Sequence, residues 1–213
     1  SLHDALPICK WFSQVPDEYR LAFLPVDTPE GRQYLRWMQL SMDFAKENRE
    51  KMMLAVKAVL EKYIGKYTDL KLEFSGDINC HHNYAALETH YGKEVWVHRK
   101  GAVRAGNGEL AVIPGAMGSY SYVVMGKGNP ESFCSSSHGA GRLYSRKGAM
   151  AAFSCEDVIR DLRDQGVVLG KKGKADVAEE SRFAYKDIDA VMSAQQDLVI
   201  PVKRLKTVGV VKG

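Results

Sequence analysis

The sequence has few cysteines and no long apolar run, and each absence excludes a class of protein. Its 213 residues include four cysteines, none of them in a C-x-x-C pair. A chain of this length with so few cysteines does not depend on a disulfide framework, so a reducing compartment fits best. No stretch is apolar over the roughly 20 residues that a bilayer-spanning helix needs, and no secretory signal pattern is found. We therefore expect a cytoplasmic protein with no membrane partner.

The chain also lacks a large excess of charge of either sign. The formal net charge is +4, and hydrophobic and charged residues make up 45% and 26% of the chain, as in ordinary soluble proteins. This mildly basic balance permits a nucleic-acid partner without requiring one. The basic residues form two clusters, Arg99, Lys100 and Arg104, and Lys203, Arg204, Lys206 and Lys212. Solvated surface is the usual explanation of such clusters.

The order of the predicted elements indicates an α+β fold. Strands and helices follow one another without the regular βαβ succession of a parallel sheet, and no internal repeat or linker interrupts them. Residues 1–8 lead into no recognisable element, and we interpret them as a non-native junction. Residues 9–213 are then expected to form part of one domain, with mixed sheets and flanking helices.

A long helix is predicted near the N-terminus. Thr28 supplies a capping hydroxyl, Pro29 occupies the first helical position, and an apolar periodicity continues to about Ile64. We expect the apolar stripe of this helix to lie in a core; it consists of Leu35, Met38, Met42, Ala45, Met52, Val56, Val59 and Tyr63.

Alternating side chains, capping residues and turn residues predict the other elements. Strands are expected at 70–74, 94–98, 109–113, 120–125, 198–202 and 207–211, and helices at about 155–163 and 187–196. The polar, lysine-rich segment 166–181 is expected to be a mobile loop.

The segment Cys80–Asn83 contains two adjacent histidines. Consecutive side chains on an extended backbone point to opposite faces, so only one of His81 and His82 can enter a given site. Imidazole is a common ligand of transition metals and suits Mn²⁺ when oxygen or thiolate ligands accompany it. From the spacing alone, a polar strand edge explains the pair better than a metal site does.

Two glycine-rich stretches are candidate nucleotide contacts. Pro114–Ser121 could turn backbone N–H groups toward an anion or a ribose, although an ordinary turn is commoner. Cys134–Arg142 places His138 between three serines and two glycines, with Arg142 four residues on. An imidazole there could attack a phosphate whose oxygens a guanidinium neutralises. The alternative is a flexible glycine loop in which the histidine has no function.

Two further residues are weaker candidates. Tyr185 precedes a predicted helix, where its ring could stack on a base or simply pack. Lys212 lies next to the end of the chain, where a lysine is usually just solvated.

Taken together and in order, these stretches resemble the RtcB family of RNA ligases. The resemblance extends from about Tyr34 to Gly213. It rests on DFAKENR, INCHHNY, RKGAVRA, IPGAMGSYSYVV, ESFCSSSHGAGR, AYKDIDAVM and the terminal VKG. Several long motifs in one order are specific to a family. The resemblance implies an RtcB-like fold that is truncated at the N-terminus.

The resemblance also implies a role for each candidate residue. His138 matches the nucleophile that attacks the α-phosphate of GTP and becomes a covalent GMP-histidine intermediate, and His82 matches a Mn²⁺ ligand. Tyr185 matches a residue that stacks on guanine, and Lys212 one that bonds the guanine edge. The other implied nucleotide contacts are Pro114, Gly115, Met117, Gly118, Ser121, Gly139, Ala140, Gly141 and Arg142. The resemblance also implies that Arg99, Lys100 and Arg104 contact the RNA backbone.

The implied function is GTP- and Mn²⁺-dependent joining of RNA ends, in tRNA splicing or in RNA repair. An RNA 3′-phosphate, or a 2′,3′-cyclic phosphate first opened to it, receives GMP from the histidine. The 5′-hydroxyl of the other RNA end then displaces that GMP. The implied partners are RNA and GTP, and the family resemblance also allows an activating accessory protein.

The sequence departs from the family in two ways. Ala116 stands where many members have serine, which would remove one hydrogen bond to the nucleotide. The N-terminal half of the family, which supplies a cysteine, an acidic residue and further histidines as metal ligands, is absent. We therefore expect this chain to be a fragment of an enzyme. The alternative function is a catalytically silent nucleotide- or RNA-binding module that retains the His138 loop.

Overall fold

The computed structural model describes residues 23–170 and 177–211, which form two compact units. The first unit ends at Phe74 and the second begins at Ser75. Three predictions fall outside the described residues: the junction at 1–8, the mobility of 171–176 and the position of Lys212.

The described part of the first unit is dominated by one helix, α1 (Pro29–Tyr67), of 39 residues. The Thr28 hydroxyl accepts a hydrogen bond from the N–H of Gly31 at 3.0 Å and caps the helix as predicted. Gly31 has no room for a side chain, because a Cβ there would lie 2.0 Å from the carbonyl oxygen of Pro25. The helix ends three residues later than expected, at Tyr67, and the N–H of the capping residue Thr68 donates to the carbonyl of Ile64.

The prediction that the stripe of α1 forms a core is wrong for the described residues. None of its eight members is buried; the last four are exposed. A helix buries a stripe only against a second element, and residues 23–74 contain no other helix or strand. The strand expected at 70–74 is not formed either, because no neighbouring strand pairs with it in the described structure.

The second unit combines short strands with short helices. Its strands are β1 (Asn83–His90), β2 (Lys93–Lys100), β3 (Ala102–Arg104), β4 (Leu110–Ile113), β5 (Ser121–Gly126), β6 (Ser135–Ser137), β7 (Val168–Gly170), β8 (Val199–Leu205) and β9 (Gly209–Val211). Its α-helices are α2 (Arg146–Ala152), α3 (Cys155–Asp164) and α4 (Ile188–Ser193), and 3₁₀ turns occupy Pro130–Ser132, Ala178–Glu180 and Arg182–Ala184.

The strands pair mostly in antiparallel fashion. β1 and β2 form a hairpin through Tyr91 and Gly92, which both have positive φ (52° and 74°). Such two-residue turns match the natural twist of a hairpin. β4, β5 and β8 form a three-stranded sheet, and β3 pairs with β6. Among the paired strands of residues 23–170 and 177–211, only β7 and β9 are parallel. These small sheets, together with the helices, confirm the α+β prediction.

Two apolar clusters support the second unit. The larger includes Ile113, Val124 and Val199 of the three-stranded sheet together with Ile188 and Met192 of α4. The smaller joins Val158 and Leu162 of α3 to Met117, Val167, Val177 and Ala178. Ser154 caps α3 as predicted, its hydroxyl accepting from the N–H of Asp157. The loops 114–121 and 138–142 are attached to these clusters through Met117 and Ala140, respectively.

Several sequence predictions need correction. The segment 166–181 is not wholly a loop, since β7 and the turn Ala178–Glu180 lie within its described part. β1, β3, β6 and α2 were not predicted at all. The strands at 94–98, 109–113, 120–125 and 198–202 and the two later helices are confirmed within a few residues. None of the helices in the described ranges has both the length and the apolar content needed to cross a bilayer.

Candidate functional site

Two loops of the second unit, 114–121 and 138–142, meet around a cavity of about 630 Å³. The N–H of Ala140 donates to the carbonyl of Pro114 at 3.1 Å and ties the loops together. The volume lies within the roughly 300–1,000 Å³ of small-ligand sites. Ten of the predicted nucleotide contacts line it: Pro114, Gly115, Met117, Ser121, His138, Gly139, Ala140, Gly141, Arg142 and Tyr185. Gly118 lies outside this lining.

The loop 114–121 depends on its glycine and its serine. A Cβ on Gly115 would lie 2.0 Å from the carbonyl oxygen of Tyr120, so only glycine fits there. The N–H of Gly115 donates to the Ser121 hydroxyl at 3.1 Å. Ser121 therefore holds the turn as well as facing the cavity. Ala116, which stands where serine was expected, is buried in the same wall.

The His138 imidazole has a defined orientation. Its Nδ1 lies 2.6 Å from the carbonyl oxygen of Gly101. A carbonyl oxygen can only accept, so Nδ1 carries the hydrogen, and in the neutral ring the lone pair resides on Nε2. Gly101 has φ 71°, and a Cβ there would lie 3.3 Å from Cε1 of His138. Gly101, a glycine of the RKGAVRA motif, is thus a contact of the site.

The same glycine also links His82 to the site. The N–H of Gly101 donates to the carbonyl of His82 at 2.9 Å and to the side-chain oxygen of Asn83 at 3.2 Å. The His82 and His138 rings lie nearly parallel, with centroids 5.4 Å apart. The structure therefore brings the predicted nucleophile and the predicted metal ligand together.

The described residues do not form a metal site by themselves. Nowhere in residues 23–170 and 177–211 do three or more histidine, cysteine, aspartate or glutamate side chains come together to hold an ion. Mn²⁺ needs several such ligands, and His82 supplies at most one of them. The predicted metal chemistry therefore requires ligands beyond the described residues.

Arg142, Glu180 and Tyr185 form a connected group in the lining of the same cavity. Arg142 donates to Glu180 Oε1 at 2.7 Å and to the carbonyl of Glu179 at 2.7 Å. The Tyr185 hydroxyl donates to Glu180 Oε2 at 2.6 Å, and the Arg142 guanidinium lies 4.6 Å from the Tyr185 ring centroid. Burial and the Glu180 carboxylate raise the pKa of Tyr185 to about 12, so its hydroxyl remains a donor. The Arg142 charge is already shared with Glu180.

Glu180 was missed by the sequence analysis. It lies in the polar stretch that was interpreted as a loop, and it belongs to no motif. Its importance depends on contacts with residues up to 38 positions away, which no local pattern reveals.

The prediction that Arg99 contacts RNA is wrong, because this side chain is only 2% exposed. It forms an ion pair with Glu88, which is itself nearly buried, and donates to the carbonyl of Phe133 at 2.9 Å and to the Ser135 hydroxyl at 3.0 Å. The hydrogen bond from Arg99 is the main reason that the pKa of Glu88 falls to about 2. Lys100 and Arg104 of the same cluster are exposed.

Arg99 holds a strained segment that leads to His138. Phe133 and Cys134 both have positive φ, 52° and 50°, a conformation that costs non-glycine residues free energy. β6 follows at once and ends at the residue before His138. Arg99 is also two residues before Gly101. It therefore connects the two segments that meet at the His138 imidazole.

Comparison with known proteins gives one consistent result. A family model described as tRNA-splicing ligase RtcB matches residues 4–213. An RNA-splicing ligase RtcB1 of Escherichia coli is 44% identical over 197 residues, which cover 91% of this chain and 47% of that protein. A tRNA-splicing ligase RtcB of Nanoarchaeum equitans is 38% identical over 226 residues, which cover 96% of this chain and 47% of that protein. The chain thus spans about half the length of the curated relatives it matches.

Proposed function

The chain belongs to the RtcB family of tRNA-splicing ligases, and on that premise we propose that it is the nucleophile-bearing part of an RNA ligase that uses GTP and Mn²⁺. The proposed reaction joins an RNA 3′-phosphate or 2′,3′-cyclic phosphate end to a 5′-hydroxyl end. The single observation that carries the proposal is the His138 imidazole at the cavity wall, with Nδ1 bonded to the Gly101 carbonyl.

In the first step, Nε2 of neutral His138 attacks the α-phosphorus of GTP. A P–N bond forms, the bond from that phosphorus to the bridging oxygen breaks, and pyrophosphate leaves. The ring gains positive charge, which the Gly101 carbonyl stabilises through the Nδ1 hydrogen. GMP then passes to an RNA 3′-phosphate, and the 5′-hydroxyl of the second RNA displaces it.

Tyr185 and Arg142 are proposed to bind the nucleotide. The Tyr185 ring lines the cavity and is held by Glu180, which suits stacking on guanine. A phosphate that binds Arg142 has to compete with Glu180 for the guanidinium. Lys212, which lies outside the described residues, is proposed from the family resemblance alone to bond the guanine edge.

The metal and the remainder of the enzyme are proposed to come from a longer protein. The described residues by themselves do not provide enough ligands to hold Mn²⁺. The length of the relatives leaves room for the missing ligands. RNA, GTP and an activating accessory protein remain proposed partners in tRNA splicing or RNA repair.

The test uses the complete protein that contains this chain, incubated with α-labelled GTP and Mn²⁺. We expect a covalent adduct that is labile in acid and stable in base, as a P–N bond is and a serine phosphoester is not. His138→Ala should take up no label. His98→Ala, which removes an exposed histidine of β2, is the matched control and should label normally. An acid-stable adduct, or label in His138→Ala, would contradict the assignment; no label in the parent would favour a silent binding module.

A further inference from the structure

A second cavity, of about 500 Å³, adjoins the first. The loop 114–121 separates them, because Pro114–Met117 and Ser121 face the first cavity while Gly118, Ser119 and Tyr120 face the second. Tyr185 lines both. A ligand in the second cavity would therefore lie one loop away from the His138 site.

Two exposed aromatic rings, each paired with an arginine, line this second cavity. Tyr120 and Phe183 are both 38% exposed, so part of each ring is accessible to a ligand. The Arg204 guanidinium lies 3.6 Å from the Tyr120 ring centroid, and the Arg182 guanidinium lies 5.4 Å from that of Phe183. Proteins that bind single-stranded nucleic acids stack the bases on flat aromatic side chains, often with arginine beside them.

The charges of the cavity cancel. Its lining has two cations, Arg182 and Lys186, and two anions, Asp187 and Asp189. Arg182 donates to Asp161, Asp189 pairs with Arg204, and Asp187 caps α4. A phosphate gains little electrostatic binding free energy in such surroundings, whereas the binding of an uncharged base does not depend on a net positive charge. The chemistry of this cavity therefore suits a nucleobase better than a phosphate.

We propose that this second cavity binds a nucleobase of single-stranded RNA by stacking on Tyr120. The assignment of that RNA as the strand being joined rests on the proposed ligase function. With the base held here, the RNA backbone runs beside the loop 114–121, next to the cavity that contains His138.

The test measures binding of a fluorescently labelled single-stranded oligoribonucleotide to the 213-residue chain by fluorescence anisotropy. Tyr120→Ala should weaken binding about tenfold or more, in line with the stacking contribution of one aromatic ring. Tyr120→Phe should bind as the parent does, because it keeps the ring. Tyr67→Ala, which removes an exposed tyrosine of α1, is the matched control and should have no effect.

Two further measurements separate base binding from phosphate binding. An oligomer of the same length without bases should bind the parent and Tyr120→Ala equally. The salt dependence of binding should have the same slope in both proteins, because Tyr120 contacts no phosphate. Three results would each overturn the proposal: a changed salt slope in Tyr120→Ala, equally strong binding of the oligomers with and without bases by the parent, or no RNA binding by the parent.

The complete protein distinguishes this proposal from the ligase proposal. If His138 is labelled by GTP but Tyr120→Ala leaves the KM for RNA unchanged, the base pocket is refuted and the ligase stands. If GTP labels nothing but oligoribonucleotide binding still depends on Tyr120, the base pocket stands and the ligase function is refuted.

Discussion

Replacing Glu88 by glutamine should destabilise the second unit strongly and in a pH-dependent way. The Glu88 side chain is 8% exposed and lies against Arg99, Arg104 and His90. Glutamine keeps the shape and one acceptor oxygen, but it leaves the Arg99 charge buried without its counterion. Breaking one partner of a buried ion pair typically costs about 3–5 kcal/mol.

The lowered pKa of Glu88 provides a second value for the stability that this ion pair contributes. The pKa falls from 4.5 to about 2, which corresponds to about 3 kcal/mol of stability at neutral pH. Because the pKa is lowered by folding, this stability is complete above pH 4.5 and is lost as the pH falls toward 2. The difference in unfolding free energy between parent and Glu88→Gln should therefore be constant near pH 7 and shrink between pH 4.5 and 2.

Urea unfolding provides the assay, followed by tryptophan fluorescence in a background that keeps Trp96 of β2 and has Trp11 and Trp37 replaced by phenylalanine. Hydrogen exchange of the β1–β2 amides reports the same hairpin directly. Glu94→Gln is the matched control, since Glu94 is an exposed carboxylate on the same strand as Arg99. The reasoning is refuted if Glu88→Gln is as stable as the parent at pH 7. It is refuted as well if the difference between the two proteins does not change below pH 4.5.

The remaining predictions concern the His138 site. Gly101→Ala should slow labelling of His138 by GTP, because the new Cβ would lie only 3.3 Å from Cε1 of the imidazole. The matched control is Gly108→Ala, which should be labelled at the parental rate because Gly108 has a similar positive φ and no atom close to its added Cβ. Tyr185→Ala should raise the KM for GTP about tenfold or more while leaving the circular dichroism spectrum unchanged, and an unaltered KM would argue against stacking. Tyr185→Phe, which loses only the hydrogen bond to Glu180, should raise the KM less. Calorimetry should show weak Mn²⁺ binding by the 213-residue chain, and tight stoichiometric binding would contradict this.

Local signals predicted much of the second unit. Ser154 caps α3 where its capping pattern indicated, and the two glycine-rich loops that were candidate nucleotide contacts line one cavity. These features depend on residues that are close in sequence, such as a hydroxyl that caps the N–H three positions on. The hairpin β1–β2 was missed because Tyr91 takes a left-handed conformation that is uncommon outside glycine.

Long-range contacts account for the features that could not be predicted. Arg99 appeared to be a surface cation because the sequence does not show that its side chain forms an ion pair with Glu88. Glu180 gains its role only from Arg142 and Tyr185. The stripe of α1 had the spacing of a core helix, but spacing identifies a face without identifying what covers it.

The connection between Arg99 and Phe133 has a consequence for the order of folding. The β1–β2 hairpin closes through a two-residue turn, whereas the hydrogen bond from Arg99 to Phe133 spans 34 residues. Closing the longer loop costs more chain entropy, so the segment that leads to His138 becomes ordered after the hairpin that receives it. The imidazole therefore gains its contact with Gly101 only in the assembled unit, and labelling at His138 would report on the completely folded unit rather than on partly folded chains.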